Sequence, residues 1–338
     1  MSKKVFNYNE LTKIEIKSNP ALLERLSENL ESEIEKNSKV DCSIIINQTN
    51  PTVDIVKDKK FDYLTIDKKE ENGRTSISYT RYNTLVRTIH QEIVNEYIVD
   101  TNVASDETAG LICIRNHFNN KIISSRPLIH ASLVEIDDKG VLIPGFSREG
   151  KTTLMVYLLQ EKGAVFVNDE NVILDSSSDR TLGLYVPRTP RIRFSTISES
   201  KLASVLDDIK LTRATQHLDS DAIERIINSQ SYHVDAGLDF SRKSFCEFLE
   251  TTSKEKTSID MVLFPKYSPS KKIGIRELTM EEGIHNLAMS GLTKKSDTDL
   301  KELRASRITL NQENYTETRF LEVSFSSFKD LLNGGIEL

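Results

Sequence analysis

Residues 145–152 read Gly-Phe-Ser-Arg-Glu-Gly-Lys-Thr, the pattern G-x-x-x-x-G-K-[ST]. The context of that octapeptide constrains the fold more than any other feature of the chain. An apolar run, Val141-Leu142-Ile143-Pro144, enters it. Thr153-Leu154-Met155-Val156-Tyr157-Leu158-Leu159 leaves it with a nearly all-apolar helical face, and Gly163 ends the run. Strand, glycine-rich turn and helix together converge backbone N–H groups and a helix N-terminus on phosphate oxygens. An ordinary glycine-rich turn with a surface lysine explains the octapeptide less well, because it does not account for both apolar flanks.

The ligand such a loop calls for is a nucleoside triphosphate, ATP, with Mg²⁺. Gly145 and Gly150 let the backbone bend, Lys151 reaches the β- and γ-phosphates, and Thr152 offers its hydroxyl to Mg²⁺. Ser147, Arg148, Glu149 and Thr153 complete the expected nucleotide contacts. Ser147 is placed to bind phosphate and not to act as a nucleophile, since no G-x-S-x-G elbow surrounds any serine.

A second feature follows within one strand. Ala164-Val165-Phe166-Val167 reads as a buried strand that delivers Asn168-Asp169-Glu170-Asn171. Acids at the C-terminal end of a strand lie where α/β proteins place ligands. The short helix between Lys151 and this strand suggests that the two strands are neighbours, with the carboxylates near the γ-phosphate. One carboxylate then holds Mg²⁺ and the other takes a proton from an attacking hydroxyl. Without the loop, the same acids would read as solvated strand-end residues. A motor or GTPase carries its Mg²⁺-binding aspartate further downstream, and neither an N-K-x-D motif nor a motor signature is found.

Bulk properties exclude several classes. A chain of 338 residues, 38% hydrophobic, supports two domains and a substantial core. A net charge of -6 without a basic stripe argues against general nucleic-acid binding. No apolar run follows Lys3 and Lys4, and no stretch approaches the ~18 apolar residues of a membrane span. Cys42, Cys113 and Cys246 are odd in number, far apart and without metal-ligand spacing, so reduced buried thiols are expected. The expectation is a soluble cytoplasmic protein with no membrane partner.

Ahead of the loop, Ala21 through Leu30 and Ile34 has helical apolar spacing, and Cys42–Asn47 reads as a strand. Residues 62–66 and 75–80 read as a hairpin around Asn72-Gly73. Asn83 to Tyr97, with Leu85, Ile89, Ile93 and Val94 on one face, reads as a second helix. These elements predict a small α+β domain over residues 1–122. Beyond it, Ala131–Ile136 and Val141–Pro144 are strands around the turn Asp137–Gly140. Ile259–Phe264 is a core strand, Thr279 opens a helix, and the polar stretch 196–258 holds covering helices or loops.

The order His130-Ala131-Ser132-Leu133-Val134-Glu135-Ile136, Gly140 through Gly145, Gly150-Lys151-Thr152-Thr153-Leu154, then Gly163-Ala164 through Asn168-Asp169-Glu170 resembles a known family. It is similar to the catalytic core of HPr kinase/phosphorylase and of the wider HPr-kinase-like serine kinases, relatives of phosphoenolpyruvate carboxykinases. The resemblance implies an α/β fold: a P-loop, HPr-kinase-like catalytic domain over 123–338, preceded by the smaller α+β domain used for substrate recognition or assembly. It also implies roles. Lys151 and Thr152 match the loop lysine and the Mg²⁺-binding hydroxyl, Asp169 the catalytic base, Glu170 the metal-supporting acid, and His130 a histidine close to the active site. The family pair is Asp-Asp where this chain has Asp169-Glu170, and the C-terminal signature tied to phosphorolysis is not found here. The resemblance therefore points to the looser relatives that act on free serine or on serine in peptides, natural-product precursors among them, and leaves homo-oligomer assembly open.

Pro187-Arg188-Thr189-Pro190-Arg191 adds arginines on a proline-stiffened loop, suited to binding phosphate or carboxylate, and makes Arg188 and Arg191 candidate substrate contacts. A solvated charged turn is the competing account. Lys266 reads as a surface lysine, and His217, His233 and His285 show no metal-ligand spacing. The sequence thus predicts an ATP-dependent kinase whose acceptor is a serine hydroxyl in a small molecule, peptide or protein. An ATP-binding sensor or scaffold, or a plain ATPase, is the alternative.

Overall fold

The structure, a computed structural model, describes residues 2–8, 12–28, 30, 33–34, 41–48, 65–71, 74–81, 84–91, 96–101, 111, 114, 126–146, 148–177, 179–188, 190–193, 196–197, 237–268, 272–294 and 303–337. Cys113, Ser147, Thr189, His217, His233 and most of the 196–258 stretch lie outside them. The chain divides into two compact units, Met1–Ile122 and Ile123–Leu338.

The first unit carries one mixed sheet. Its strands are β1 (Ser2–Tyr8), β2 (Thr12–Ser18), β3 (Glu33–Ile34), β4 (Cys42–Gln48), β5 (Thr65–Glu71), β6 (Arg74–Arg81), β7 (Thr84–Gln91) and β8 (Glu96–Thr101). They lie in the order β3-β1-β2-β4-β8-β7-β6-β5. Pairing is parallel at β2–β4 and β4–β8 and antiparallel elsewhere. Helix α1 (Pro20–Ser27) starts where Asn19 accepts from the Leu22 N–H at 2.8 Å and Pro20 occupies the first turn. Its buried Leu22, Leu23 and Leu26 join a core with Phe6, Ile14, Ile16 and Ile44.

Two expectations for this unit are overturned. The first helix stops at Ser27, whose hydroxyl bonds back to the Leu23 carbonyl at 2.6 Å. Ile34 then pairs with Val5 as an edge strand. Competition by a serine hydroxyl for a helix carbonyl favours such an end. The helix expected over 83–97 is instead β7 and the start of β8, paired antiparallel from Val86↔Thr101 to Gln91↔Glu96. Leu85 and Ile89 are four apart, a spacing that satisfies a period of two as well as one of 3.6. Thr84, Val86, Thr88 and Ile89 are β-branched, and that tips the segment to strand. Ile93 and Val94 lie outside the described residues.

The second unit begins with β9 (Leu128–Ile129), β10 (Ala131–Ile136), β11 (Lys139–Pro144) and α2 (Lys151–Glu161). Next come β12 (Val165–Asn168), β13 (Val172–Asp175), β14 (Leu182–Leu184), β15 (Arg191–Arg193), β16 (Gly237–Asp239), α3 (Arg242–Phe248) and β17 (Lys256–Ser258). It closes with β18 (Met261–Tyr267), β19 (Gly274–Glu277), α4 (Met280–Met289), β20 (Gly291–Lys294), β21 (Leu303–Ala305), β22 (Arg319–Phe325) and α5 (Phe328–Gly334). The result is a mixed α/β architecture with several sheets. A central sheet runs β12-β10-β11-β18-β22-β19 and a second runs β17-β14-β13-β9-β20-β21. β15 and β16 form a small two-stranded sheet.

Period-two alternation explains the layering. On one face of the central sheet Val134, Val141, Ile143, Met261, Leu263, Leu321 and Val323 pack with α2, α3 and α5. On the other, Leu133, Leu142, Val262, Phe264 and Phe320 pack with Val172 and Leu174 of the second sheet and Ile284 and Leu287 of α4. Because both faces are covered, these strands read as near-continuous apolar runs. Thr279 caps α4 in a full capping box with Glu282. Among the described residues no helix is long and apolar enough to cross a membrane.

Candidate active site

The Gly145–Thr152 loop joins β11 to α2. Gly145, Arg148 and Gly150 have φ of 153°, 75° and 96°. At Gly150 a Cβ would also lie 2.5 Å from Phe325 Cζ, so both backbone conformation and space demand glycine. The N-cap of α2 is Gly150, which has no side chain to cap it, and this leaves first-turn N–H groups for an anion. Lys151 is buried there, 5% exposed, and makes no contact ion pair among the described residues. Thr152 follows it in the same turn, and the Thr153 and Thr196 hydroxyls are 3.1 Å apart.

Glu149, an expected nucleotide contact, is bonded within the loop. Its carboxylate accepts from the Phe146 N–H at 2.6 Å, and its own N–H donates to the Phe146 carbonyl at 3.3 Å. Both groups brace the loop from within, because a carboxylate beside a backbone donor satisfies that donor before any ligand arrives. His130 ties the loop to β10: its carbonyl accepts from the Gly145 N–H at 3.1 Å, and its ring lies 5.9 Å from that of Phe146. Arg148 is exposed.

The acids do not sit on a strand adjacent to the loop strand, as their closeness in sequence suggested. β10 lies between β11 and β12, pairing antiparallel with both. A hairpin partner made earlier in the chain takes the place beside β11. The acids are nonetheless held in one turn. The Asp169 N–H donates to Asn168 Oδ1 at 3.0 Å, Asn168 Nδ2 donates to the Asn171 carbonyl, and the Asn171 N–H donates to the Asp169 carbonyl at 3.0 Å. Inside this knot Glu170 has φ of 73°, a left-handed conformation that costs a non-glycine residue about 1–2 kcal/mol. Strain of this kind persists only where surrounding bonds over-determine it.

The two carboxylates are treated differently. Asp169 is 2% exposed; Ser132 Oγ donates to its Oδ1 at 2.6 Å, and its Oδ2 is buried with no hydrogen-bond partner among the described residues. Burial pushes its carboxyl above the ordinary range and the neighbouring Glu170 charge adds to that, against the opposing effects of Lys151, Ser132 and Arg188. Burial also acts upward on Glu170. There it is outweighed by the His130 hydrogen bond and by the charges of Arg188 and Lys151, so Glu170 is held well below the ordinary range. His130 Nε2 lies 2.9 Å from Glu170 Oε2 and Arg188 Nη2 3.6 Å from the same oxygen. A pair of acids whose proton affinities are driven apart is an arrangement suited to one proton acceptor and one permanent charge.

Lys151, Asp169, Glu170, His130 and Arg188 thus come together, with Thr152 next to Lys151. Arg191 belongs to β15, in register with Asp239. Lys266 and His285 are exposed. Among the described residues no three His, Cys, Asp or Glu side chains cluster to hold a metal. Ser132 and Asn168 escaped the sequence reading. The signals were a lone hydroxyl in an otherwise apolar stretch of strand, and an asparagine on each side of the acid pair.

No protein-family model matches the chain, and no curated protein matches it. Among solved structures it is similar to the Hpr(Ser) kinase/phosphatase from Coxiella burnetii, at 13% identity over 59% of this chain and 78% of that one, with a TM-score of 0.26. At that TM-score the likeness settles neither fold nor function.

Proposed function

We propose that this protein is an ATP-dependent kinase that transfers the γ-phosphoryl group to a serine hydroxyl, free or in a peptide or protein, in the cytoplasm. The observation that carries the reading is Asp169 Oδ2: a buried carboxylate oxygen with no partner among the described residues, one strand removed from a strand–loop–helix with a buried lysine at its mouth. An unpaired buried acceptor is costly and calls for a functional account.

In this reading the first-turn amides of α2 and Lys151 hold the β- and γ-phosphates. The acceptor oxygen bonds to the γ-phosphorus as its proton passes to Asp169 Oδ2. The bond from the γ-phosphorus to the β–γ bridging oxygen breaks, and ADP leaves. Lys151 and the amides meet the charge spread over the transferred group. Glu170, kept ionised by His130 and Arg188, holds the local field constant while Asp169 changes protonation.

The donor set suits Mg²⁺, which takes oxygen ligands and is held largely by substrate phosphates and one or two carboxylates. Thr152 Oγ1 and Glu170 Oε1 are the oxygens that would hold it; Oε1, unlike Oε2, carries no hydrogen bond among the described residues. When bound, the ion neutralises phosphate charge.

The test is incubation with Mg²⁺ and ATP in the presence of serine, serine peptides and protein extract, followed by mass spectrometry of the acceptors. A gain of one phosphoryl group on a serine supports the reading, and ATP consumption without any modified acceptor opposes it. Lys151→Ala tests the loop alone, since it weakens ATP binding whether or not transfer follows.

A further inference from the structure

We propose that Ser132 is a positioning residue: its hydroxyl anchors Asp169 Oδ1 and leaves Oδ2 as the one oxygen that accepts the proton of the attacking hydroxyl. The proposal rests on the kinase reading above and adds a residue which that reading does not use.

Ser132 stands at the centre of the site by register. On one side it pairs with Ile143, two residues before Gly145. On the other, its neighbour Leu133 pairs with Asn168, the residue before Asp169. It therefore bridges the strand that feeds the loop and the strand that delivers the acid. Its neighbours Ala131, Leu133 and Val134 are fully buried and apolar, and Ser132 itself is 0% exposed. A hydroxyl in that setting is expensive unless paired, and its recorded hydrogen bond runs to Asp169 Oδ1 at 2.6 Å.

The consequence concerns the aim of Asp169. The last torsion of an aspartate is broad and two-fold, so an unanchored carboxylate exchanges its two oxygens between sites. Asn168 fixes the Asp169 backbone through its N–H at 3.0 Å, and Ser132 fixes Oδ1. Oδ2 is what remains, the Asp169 oxygen with no hydrogen-bond partner among the described residues. During transfer Ser132 keeps its proton; the proton that moves comes from the acceptor. Being fully buried and committed as a donor, Ser132 is not itself a phosphoryl acceptor.

The experiment compares wild type, Ser132→Ala and Ser132→Thr in single-turnover transfer to a phosphorylatable serine peptide, with ATP affinity by calorimetry and folding by thermal melt. Ser132→Ala is expected to lower kcat by about 10- to 100-fold, the scale of a misaimed reacting group, and to leave the ATP Kd unchanged. Ser132→Thr, which keeps the hydroxyl, is expected to recover most of the rate. A folded Ser132→Ala with wild-type kcat overturns the proposal, as does a folded Ser132→Thr as slow as the alanine variant. Should Ser132→Ala fail to fold, Ser132→Cys, with its weak donor, is read with the same expected direction. Wild type that phosphorylates nothing defeats the kinase reading and with it the proton-accepting role of Oδ2; whether Ser132 anchors Asp169 is then decided by the crystal structure of Ser132→Ala. Asp169 turned or split between orientations supports the anchor, and Asp169 unmoved overturns it.

Discussion

His130 Nε2 and Glu170 Oε2 lie 2.9 Å apart, joining the residue before β10 to the turn after β12 across a sequence separation of 40. Glu170 is held below the ordinary carboxylate range, so it contributes stability above that range and loses it as pH falls. His130→Ala removes the strongest of the influences holding it low. The variant is expected to be about 1 kcal/mol less stable at pH 7, a charged hydrogen bond discounted for partial exposure. The deficit narrows below about pH 4, where the unfolded chain takes up a proton that native Glu170 does not yet bind. Urea unfolding at pH 7 and pH 3 measures this, and a deficit constant between the two contradicts the assignment.

Asp169 carries the opposite sign. Its carboxyl is raised, so ionisation above the ordinary range costs the native state stability. Asp169→Asn removes that cost and keeps an oxygen for Ser132. The variant is expected to be about 0.5–2 kcal/mol more stable than wild type at pH 8, as site residues often are when neutralised. The gain fades below about pH 4, where Asp169 is neutral in both states. Thermal melts across that range test it, and an Asn variant less stable at pH 8 counts against a strained, functional carboxylate.

Gly150→Ala combines a φ of 96° with a Cβ placed 2.5 Å from Phe325 Cζ and 3.3 Å from Tyr267 Cβ. The left-handed cost and the overpacking together come to about 2–5 kcal/mol. Calorimetry is expected to show loss of ATP binding along with a lowered Tm. Retention of both says that the loop bends by another route.

Asn168→Ala leaves the buried Asp169 N–H and Asn171 carbonyl without their side-chain partner, at about 2–4 kcal/mol. The turn then loses what holds Glu170 at positive φ. Amide hydrogen exchange is expected to rise at residues 169–171 before it rises at residues 165–167 of β12. Unchanged protection there removes Asn168 from the account.

The loop was legible because each of its requirements leaves a separate mark: glycines where the chain bends, lysine and threonine at the helix start, apolar runs on both sides. Asp169 and Glu170 were legible for a similar reason, as paired acids at the end of an apolar strand. What the sequence did not disclose is pairing across strands. Nothing local in Ala131–Ile136 says that β10 inserts between β11 and β12, and so nothing local says that Ser132 meets Asp169. Residues 84–91 failed differently. Positions four apart satisfy helix and strand alike, and only the β-branched residues between them distinguished the two. The brace formed by Glu149 was hidden for a third reason, because nothing in the octapeptide itself says that this carboxylate accepts from the Phe146 N–H.

Transfer of the γ-phosphoryl group is the central claim, and Asp169→Asn tests it most directly. Wild type and variant are given Mg²⁺ and ATP labelled at the γ-phosphate, with serine-containing acceptors, and bound nucleotide is measured in parallel. Wild type is expected to place label on serine. With Asp169→Asn the expected loss is at least about 100-fold, the lower end of general-base catalysis, while ATP stays bound. Label transferred equally by both proteins, or ATP bound by wild type with no acceptor labelled, contradicts that claim.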